Sequence, residues 1–354
     1  MQINNLNIVP DWRLQDLQGQ KLHVSFLPLL AAIQRTNKLT AAAEQCRLSY
    51  RHAWNILRDA EAFFGHPVTK MERGRGASLT ALGSVLLQAN QRVEARLHTQ
   101  IESLNMELNS EVHRVVADHI KVIQIYATHG YAVALIPEHL QGYQVEMHYH
   151  GPEDALRGLR SGSCKIAGFN MPLHHRIPSQ QKRYPAYLDP KEVSVLRFIK
   201  RQQGLMMSSD NARLIRSITD LQNTELRFIN RQPRSGTREL FDQLLIDSNI
   251  DSDNIRGYDN HEYTHSAVAA HVATGMAEVG FGVKAAAARF DLEFLPITED
   301  RYFWAYRSSY DQDPEMLAFK AMLASKAYQA KVNALPGYEC DQCGEAVLAK
   351  DLLN

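Results

Sequence analysis

Apolar residues recur three and four positions apart between residues 39 and 64, a spacing that predicts helices with one buried face. Alanine-dense residues 40–46, with Thr40 as N-cap, predict a short helix. Ser49 then caps a second helix that runs from Tyr50 to about Phe64. The buried stripe of this second helix consists of Ala53, Leu57, Ala60 and Phe64.

The open face of the second helix carries side chains suited to reading DNA. Arg51, Asn55 and Arg58 lie there, and arginine and asparagine make bidentate contacts to guanine and adenine in the major groove. A short helix, a tight turn and a longer helix form the order of a helix-turn-helix. The alternative is an ordinary helical hairpin with solvated arginines, because such patterns give many false positives.

Residues 67–80 predict a two-stranded ribbon with a glycine-flanked pair, Arg73 and Arg75, at its tip. Such a tip suits phosphate or minor-groove contact, so it is interpreted as a wing. Residues 1–100 carry a net charge of +5, whereas the whole chain balances 39 basic against 39 acidic residues. A basic segment on a neutral chain favours a DNA-binding head and a body that does not bind DNA.

A long helix is predicted next, from residue 81 to about 108, without glycine or proline beyond Gly83. A narrow apolar seam of this kind is typical of coiled-coil dimerisation, and a two-fold dimer matches palindromic half-sites. The alternative is packing against the chain's own body. The seam consists of Leu86, Val93, Leu97, Ile101, Leu104 and Leu108.

From residue 121 onward, short apolar runs typical of strands alternate with amphipathic segments typical of helices, which predicts a mostly parallel α/β sheet. The two sets join near residues 193–204 and the chain crosses back near 298–302, which predicts two lobes around a cleft. Ligands in such folds bind at the carboxyl ends of strands. The predicted strands are 121–127, 143–149, 165–169, 193–200, 204–208, 226–230, 278–282, 293–297 and 301–306.

Composition narrows the class of protein. With 354 residues, 45% hydrophobic and 22% charged, the chain predicts a globular protein of two or three domains. No apolar run is long enough to span a membrane, and residues 1–20 contain no signal peptide. Four cysteines are too few for a disulfide framework in a chain of this length, so we expect a reduced, cytoplasmic protein.

The strongest candidate ligand site is the segment RQPRSGTR, residues 231–238, which follows a predicted strand and opens a helix. Ser235 and Thr237 offer hydroxyls, Gly236 allows close approach, and the first backbone N–H groups are free to bind an anion. A plain capped helix is the alternative. Three arginines, one of them Arg231, in eight residues favour the anion.

Similar turns occur elsewhere in the body. Thr128 and His129 follow the first strand, Asn170 follows the third, and His265 and Ser266 open a helix. Each could be an ordinary cap or turn, but together they predict a ring of ligand-binding residues.

Residues 23–88 resemble the N-terminal domain of ModE-type molybdate-responsive regulators, relatives of the LysR-type winged helix. The resemblance rests on LLAAIQRTNKLTAAAEQCRLSYRHAW and AFFGHPVTKMERGRGASLTALGSVLL, and the SYRHAW block is its most specific part. It implies a dimeric winged helix-turn-helix with Tyr50–Phe64 in the major groove, and it adds Ser49 and Tyr50 to the DNA-binding residues.

Residues 119–330 resemble the periplasmic-binding-protein-like domain of molybdate-type binding proteins, which also occurs fused to ModE-like heads. RQPRSGTRELFD and THSAVAAHVATGMAEVGFG are the most specific blocks. The resemblance implies a two-lobed, type II α/β domain that closes on a small ligand. It places near that ligand Thr128, Arg231, Ser235, Gly236, Thr237, His265 and Ser266.

Enzymatic patterns are missing from the sequence. The 15 histidines are scattered, His174-His175 has no acidic partner four residues away, and GxSxG, HExxH and P-loop motifs do not occur. Cys340-x-x-Cys343 fits a tail turn, half a zinc site or a redox pair. We therefore expect no catalytic residues, no metal and no cofactor other than an effector.

These observations predict a cytoplasmic regulator with four segments: a winged helix-turn-helix at 20–82, a linker helix at 83–112, an effector domain at 119–330 and a tail at 331–354. Its expected partners are double-stranded palindromic DNA, a small anion and a second copy in a dimer or tetramer, without membrane contact. The resemblance favours molybdate or tungstate as effector and molybdenum, tungsten or molybdoenzyme genes as targets. The alternatives are a small carboxylate such as formate, or a thiol or metal sensor built on Cys340 and Cys343.

Overall fold

The computed structural model describes residues 6–72, 76–116, 121–223 and 225–353. The chain divides into two compact units, Ile8–Glu94 and a larger unit made of Met1–Asn7 and Ala95–Asn354. No helix in the described ranges is long and apolar enough to cross a membrane.

The smaller unit contains three helices, a hairpin and the start of a fourth helix. Ser49 caps α3 as predicted, because its hydroxyl accepts a hydrogen bond from His52 N at 3.2 Å. Helix α2 begins at Leu39, so the prediction that Thr40 is its N-cap was wrong. Leu39 is buried in the core, and this burial draws it into the first turn. The elements are α1 Phe26–Thr36, α2 Leu39–Gln45, α3 Tyr50–Phe64, β1 Thr69–Glu72 and β2 Gly76–Leu79.

The hairpin is fixed to the turn between α1 and α2 by one glycine. Gly76 has φ +99°, and a Cβ there would lie 2.1 Å from Asn37 O. Its neighbour Ala77 donates its N–H to the same carbonyl at 2.9 Å. Any other side chain at Gly76 would force these two backbones apart. The face of α3 toward this core buries Ala53, Ile56, Leu57 and Ala60, while Phe64 is half-buried.

Helix α4, Ala81–Val116, is a single helix of 36 residues that extends past its predicted end near residue 108. Its predicted seam is incompletely covered within the chain. Leu104 is 52% exposed and Val93 is 40% exposed, and Leu86, Leu97, Ile101 and Leu108 are half-buried.

The larger unit is built on a ten-stranded sheet with the main order β4-β3-β5-β10-β6-β9-β7-β8, onto which β11 and β12 pair at β6. Its strands are β3 Val122–Ala127, β4 Gln144–Tyr149, β5 Ile166–Pro172, β6 Val193–Met207, β7 Phe228–Arg231, β8 His261–Glu262, β9 Val279–Val283, β10 Glu293–Arg307, β11 Tyr338–Glu339 and β12 Ala346–Val347.

This sheet is mixed, so the prediction of a mostly parallel sheet was only partly right. Strands pair in parallel within each lobe, β3 with β4 and β5 in one and β7 with β8 and β9 in the other. The lobes are joined by β6 and β10, two antiparallel strands of 15 residues each. The sequence predicted each of them as two short strands, because polar residues near the middle interrupt the apolar pattern.

Helices cover the sheet. Residues 133–139 form a 3₁₀ turn followed by one short α-helix. The helical region that begins at Pro314 is divided at Ser325, which caps its second part by accepting a hydrogen bond from Tyr328 N. The helices are α5 Ile136–His139, α6 Pro152–Ser161, α7 Pro178–Arg183, α8 Gly236–Asp247, α9 His265–Ala273, α10 Lys284–Arg289, α11 Pro314–Ala324, α12 Lys326–Asn333 and α13 Ala349–Leu353.

The segment predicted as a C-terminal tail is part of the α/β unit. Both of its short strands pair antiparallel with β6. Tyr338 and Cys343 are buried in the main core cluster, while Cys340 packs half-buried against it. Apolar burial of these side chains holds the segment on the sheet.

A buried ion pair lies where the two long strands run side by side. Arg201 on β6 and Asp300 on β10 are paired in register, and both side chains are almost fully buried. The Asp300 carboxylate accepts hydrogen bonds from Arg201 Nε at 2.9 Å, Gln203 Nε2 at 3.0 Å and Asn170 Nδ2 at 2.8 Å. One carboxylate thus connects β5, β6 and β10 at the junction of the lobes.

We expect Asp300→Ala to lower the free energy of unfolding by about 3–5 kcal/mol, because it leaves the Arg201 guanidinium buried without a counter-ion. Urea unfolding of the purified chain measures this change. The matched control is Asp154→Ala, which removes an exposed carboxylate from a surface pair with Arg157 and should cost at most about 1 kcal/mol. Equal losses in the two variants would show that the buried pair does not hold the strands together.

Candidate functional site

A cavity of about 210 Å³ opens at the ends of the strands in the larger unit. It is smaller than the roughly 300–1,000 Å³ of pockets that hold drug-sized molecules, so it suits a ligand of few atoms. It is lined by Arg96, Thr99, Gln100, Thr128, His129, Tyr149, His150, Gly151, Pro152, Asn170, Arg201, Arg231, Gln232, Ser235, Gly236, Thr237, Tyr263, Thr264 and His265.

Three helices of nine to twelve residues, α6, α8 and α9, begin at this cavity. Their first residues, Pro152, Gly236 and His265, all belong to the lining. The N–H groups of a first helical turn have no acceptor within the helix, and they form the positive end of its dipole. Three such ends around one small space create an environment for an anion.

Arg231 carries a positive charge into the same space from the end of β7. Its side chain donates to Tyr263 O at 3.0 Å and to Gln232 Oε1 at 3.1 Å. Among the described residues no carboxylate lies within ion-pair distance of it, although Arg231 is only 7% exposed. Burial, and then the charge of Arg201, lower the pKa of Arg231 to about 9, so the guanidinium remains charged at neutral pH. A buried cation without a counter-ion is costly, and an anionic ligand would relieve that cost.

Neutral hydrogen-bonding groups complete the lining. Burial, followed by the charges of Arg231 and Arg201, lowers the pKa of His265 well below its usual value, so its imidazole is neutral. Its Nδ1, the Thr128 hydroxyl and the Tyr149 hydroxyl are buried and have no hydrogen-bond partner within the described parts of the chain. Burial raises the pKa of Tyr149, so this hydroxyl keeps its proton. Buried polar groups are normally paired, and these are therefore available to a ligand.

The structure brings together eight of the nine residues predicted to bind the ligand. Ser266 is not in the lining, because its hydroxyl shares a hydrogen bond of 2.7 Å with the Tyr131 hydroxyl. That the eight lining residues contact a ligand stays a prediction. The eight are Thr128, His129, Asn170, Arg231, Ser235, Gly236, Thr237 and His265.

The structure separates the three arginines of residues 231–238, which the sequence predicted to act together on an anion. Only Arg231 lines the cavity; Arg234 is exposed, and Arg238 pairs with Asp242 at 2.8 Å. The further cations of the lining are Arg96 and Arg201. Sequence reasoning missed them because they are distant in the chain and belong to no motif.

Gly236 allows the start of α8 to lie close to the side chain of Asn170, and its φ angle is not positive. A Cβ on this residue would lie 2.6 Å from both amide atoms of Asn170. Asn170 in turn donates to Asp300, so the start of α8 packs directly on the residues that join the lobes.

In the smaller unit, the face of α3 opposite its core is rich in aromatic and basic residues. Tyr50 is 53% and Trp54 is 43% exposed, Arg51 and Arg58 are exposed, and Asn55 is half-buried. The Ser49 hydroxyl is occupied by capping the helix. The predicted wing residues, Arg73 and Arg75, lie outside the described residues.

Comparison with known proteins places the larger unit in a family. Residues 133–324, more than half of the chain, match the PBP superfamily domain. The chain therefore belongs to the PBP superfamily, in agreement with its two lobes and the cleft-like position of its cavity.

Curated relatives share parts of the chain. It is 27% identical over 205 residues to the uncharacterized protein YvgK of Bacillus subtilis. The aligned region covers 56% of this chain and 64% of YvgK. It is 33% identical over 95 residues to the molybdenum-pterin-binding protein MopB of Rhodobacter capsulatus. The aligned region covers 26% of this chain and 35% of MopB. The chain thus spans less than two thirds of either relative.

Similar solved structures include two regulators. The LysR family transcriptional regulator CbnR has 15% identity and a TM-score of 0.40, with 84% of this chain and 98% of CbnR covered. Full-length BenM has 13% identity and a TM-score of 0.42, with 85% of this chain and 95% of BenM covered.

We expect Gly236→Ala to destabilise the chain by about 1–3 kcal/mol, because the new methyl group must displace the Asn170 amide from Asp300. In the double variant with Asn170→Ala the obstacle is gone, so the two changes should cost less together than their sum, with a coupling of at least about 0.5 kcal/mol in urea unfolding. Gly130→Ala is the control, since its Cβ would meet neighbours at an ordinary 3.5 Å. Additive costs would show that Gly236 does not depend on Asn170.

Proposed function

We propose that this chain is a ligand-responsive DNA-binding transcription regulator that senses a small oxyanion, molybdate or tungstate. In this proposal residues 20–82 are a winged helix-turn-helix, residues 83–112 a linker helix and residues 119–330 the effector domain. The observation that carries the proposal is Arg231, a buried cation beside three helix N-termini to which no described residue supplies a counter-ion.

The directions of the donors favour a tetrahedral anion. Helices α6, α8 and α9 begin at different points of the cavity lining, and Arg231 adds the N–H groups that Gln232 and Tyr263 do not occupy. Four oxygens arranged tetrahedrally can accept from all of these, whereas a planar carboxylate such as formate offers two. The likeness to MopB, named as a molybdenum-pterin-binding protein, supports a link to molybdenum.

DNA binding is supported by the outer face of α3. The side chains of Tyr50 and Trp54 are exposed on the same helix as exposed Arg51 and Arg58, and no element of the described residues covers them. Exposed patches of large aromatic side chains often mark interaction sites. Aromatic and basic groups together suit contacts to bases and phosphates. Ser49 caps the N-terminus of α3 and so stabilises its first turn, the part of a recognition helix that enters the major groove.

Signal transmission would use α4. Its first turns pack in the core of the smaller unit through Leu87, and further along the same helix Arg96, Thr99 and Gln100 line the cavity. Ligand binding shifts the population of lobe arrangements by its differential affinity. In a dimer held by the apolar seam of α4, such a shift would change the spacing of the two reading helices.

We expect thermal unfolding of the purified chain to shift upward with molybdate and tungstate, since a ligand at about 100 times its dissociation constant adds roughly 2.7 kcal/mol to stability. Sulfate, phosphate and formate complete the panel. Arg231→Met should abolish the shift without lowering the midpoint in the absence of ligand, because it removes an uncompensated buried charge. The matched control is Arg234→Ala, an exposed arginine outside the cavity that should keep the full response.

A flat response to every oxyanion would refute the proposed effector. A shift with formate alone would favour the carboxylate alternative. An unchanged response in a Cys343→Ser variant would leave the thiol-sensor alternative without support.

We expect duplex DNA binding with a steep salt dependence, since each neutralised phosphate contributes about −0.9 to the logarithmic slope. On genomic fragments selected by the wild-type chain, Arg51→Ala and Arg58→Ala should each weaken binding by about 1–3 kcal/mol. Fluorescence anisotropy measures both effects. Arg35→Ala is the control, because this exposed arginine belongs to α1 and bonds to Gln45. Wild-type affinity in the Arg51 and Arg58 variants would contradict the assignment of α3 as the reading helix.

A further inference from the structure

We propose that His98, Glu102 and His129 bind a divalent transition-metal ion of the Zn²⁺ class at the edge of the anion cavity. This proposal goes beyond the proposed function and does not depend on it. His98 and Glu102 lie one turn apart on α4, and His129 lies in the turn after β3.

The spacing of the three side chains is that of metal ligands. Glu102 Oε2 lies 3.4 Å from His98 Nδ1 and 3.5 Å from His129 Nε2. One ligand atom from each residue falls within 4.8 Å of the other two. Bonds of about 2.0–2.1 Å in a tetrahedral zinc site place neighbouring ligand atoms roughly 3.3 Å apart. The two distances match this value.

Both distances are long for a charge-assisted hydrogen bond. A charge-assisted bond between imidazolium and carboxylate closes to about 2.7–2.9 Å. Glu102 Oε2 is instead buried without a hydrogen-bond partner among the residues that the structure describes. A metal ion between the three atoms would satisfy this buried carboxylate oxygen and both imidazole nitrogens at once.

The three side chains supply one carboxylate oxygen and two imidazole nitrogens around a single point. Together they form a complete set of three protein ligands.

The donor set determines the class of ion. Two imidazoles and one carboxylate suit Zn²⁺ and its first-row neighbours, whereas Mg²⁺ and Ca²⁺ prefer oxygen ligands. Three protein ligands leave one tetrahedral position open for water or an anion. The ring of His129 packs edge-on against Tyr149, with centroids 4.9 Å apart, which restrains the orientation of this ligand.

A metal at this position would connect two segments that matter for the proposed signal. It would join α4 to the turn that carries Thr128 and His129, both in the cavity lining. Its charge would also add to the positive environment of the cavity. The ion would therefore hold the helix to the ligand-binding turn.

The test is metal titration of the full chain after chelator treatment, without added oxyanion. We expect one equivalent of Zn²⁺ by calorimetry, a higher thermal midpoint, and visible absorption typical of a tetrahedral site when Co²⁺ is the probe. His98→Ala and Glu102→Gln should each weaken Zn²⁺ binding at least tenfold. Neither residue lines the cavity, so oxyanion responses report separately on the proposed function.

The matched control is His148→Ala, which removes a histidine from another histidine–glutamate pair, with Glu146, outside the cluster. It should bind Zn²⁺ like the wild type. Thermal unfolding in the presence of chelator shows whether each variant is folded. The proposal is overturned if the wild type binds no Zn²⁺ or Co²⁺. It is equally overturned if binding persists in folded His98→Ala and Glu102→Gln, or is lost only when Cys340 and Cys343 are replaced.

Discussion

The structure depends on how positive charge is compensated in the centre of the α/β unit. Arg201 and Arg231 are both buried at one cavity, yet the only carboxylate that the described residues bring onto them is Asp300, which pairs with Arg201. The Asp300 carboxylate also holds Gln203 and Asn170, so the compensated charge joins three strands. The charge of Arg231 has no such partner among the described residues, and a bound anion would neutralise it. The stability of the unit and the proposed binding of an anion would thus depend on two neighbouring buried arginines, one paired and one without a carboxylate partner among the described residues.

This arrangement depends on the mixed sheet. Two long antiparallel strands, β6 and β10, pass between lobes that are otherwise parallel, and their pairing brings Arg201 and Asp300 together. Helices α6, α8 and α9 begin around the same point, so their dipoles add to the positive field. A ligand bound there, as proposed, would touch both lobes, and a difference in its affinity for open and closed arrangements would move the equilibrium between them.

Much of the fold could be predicted from the sequence, because local signals are strong where one face is buried. The cap at Ser49, the stripe of α3 and the strand–helix alternation after residue 121 were all read from short stretches of sequence. The errors occurred where long-range pairing overrides local pattern. Residues 193–207 and 293–307 each form one strand because backbone pairing continues through polar positions. The predicted tail is held on β6 by burial of Tyr338 and Cys343.

The sequence by itself determined the residues at strand ends and helix starts, such as Ser235, Gly236 and His265, since those positions follow from neighbours along the chain. Tertiary structure alone decided which charges are paired. It separated Arg231 from Arg234 and Arg238, although the three are neighbours in sequence, and it brought Arg201 to Asp300 across 99 positions. It also brought His129 to the pair on α4, which the scattered histidines did not reveal. The reason is physical: desolvation and Coulomb energy depend on distance in space, which spacing along the chain does not determine.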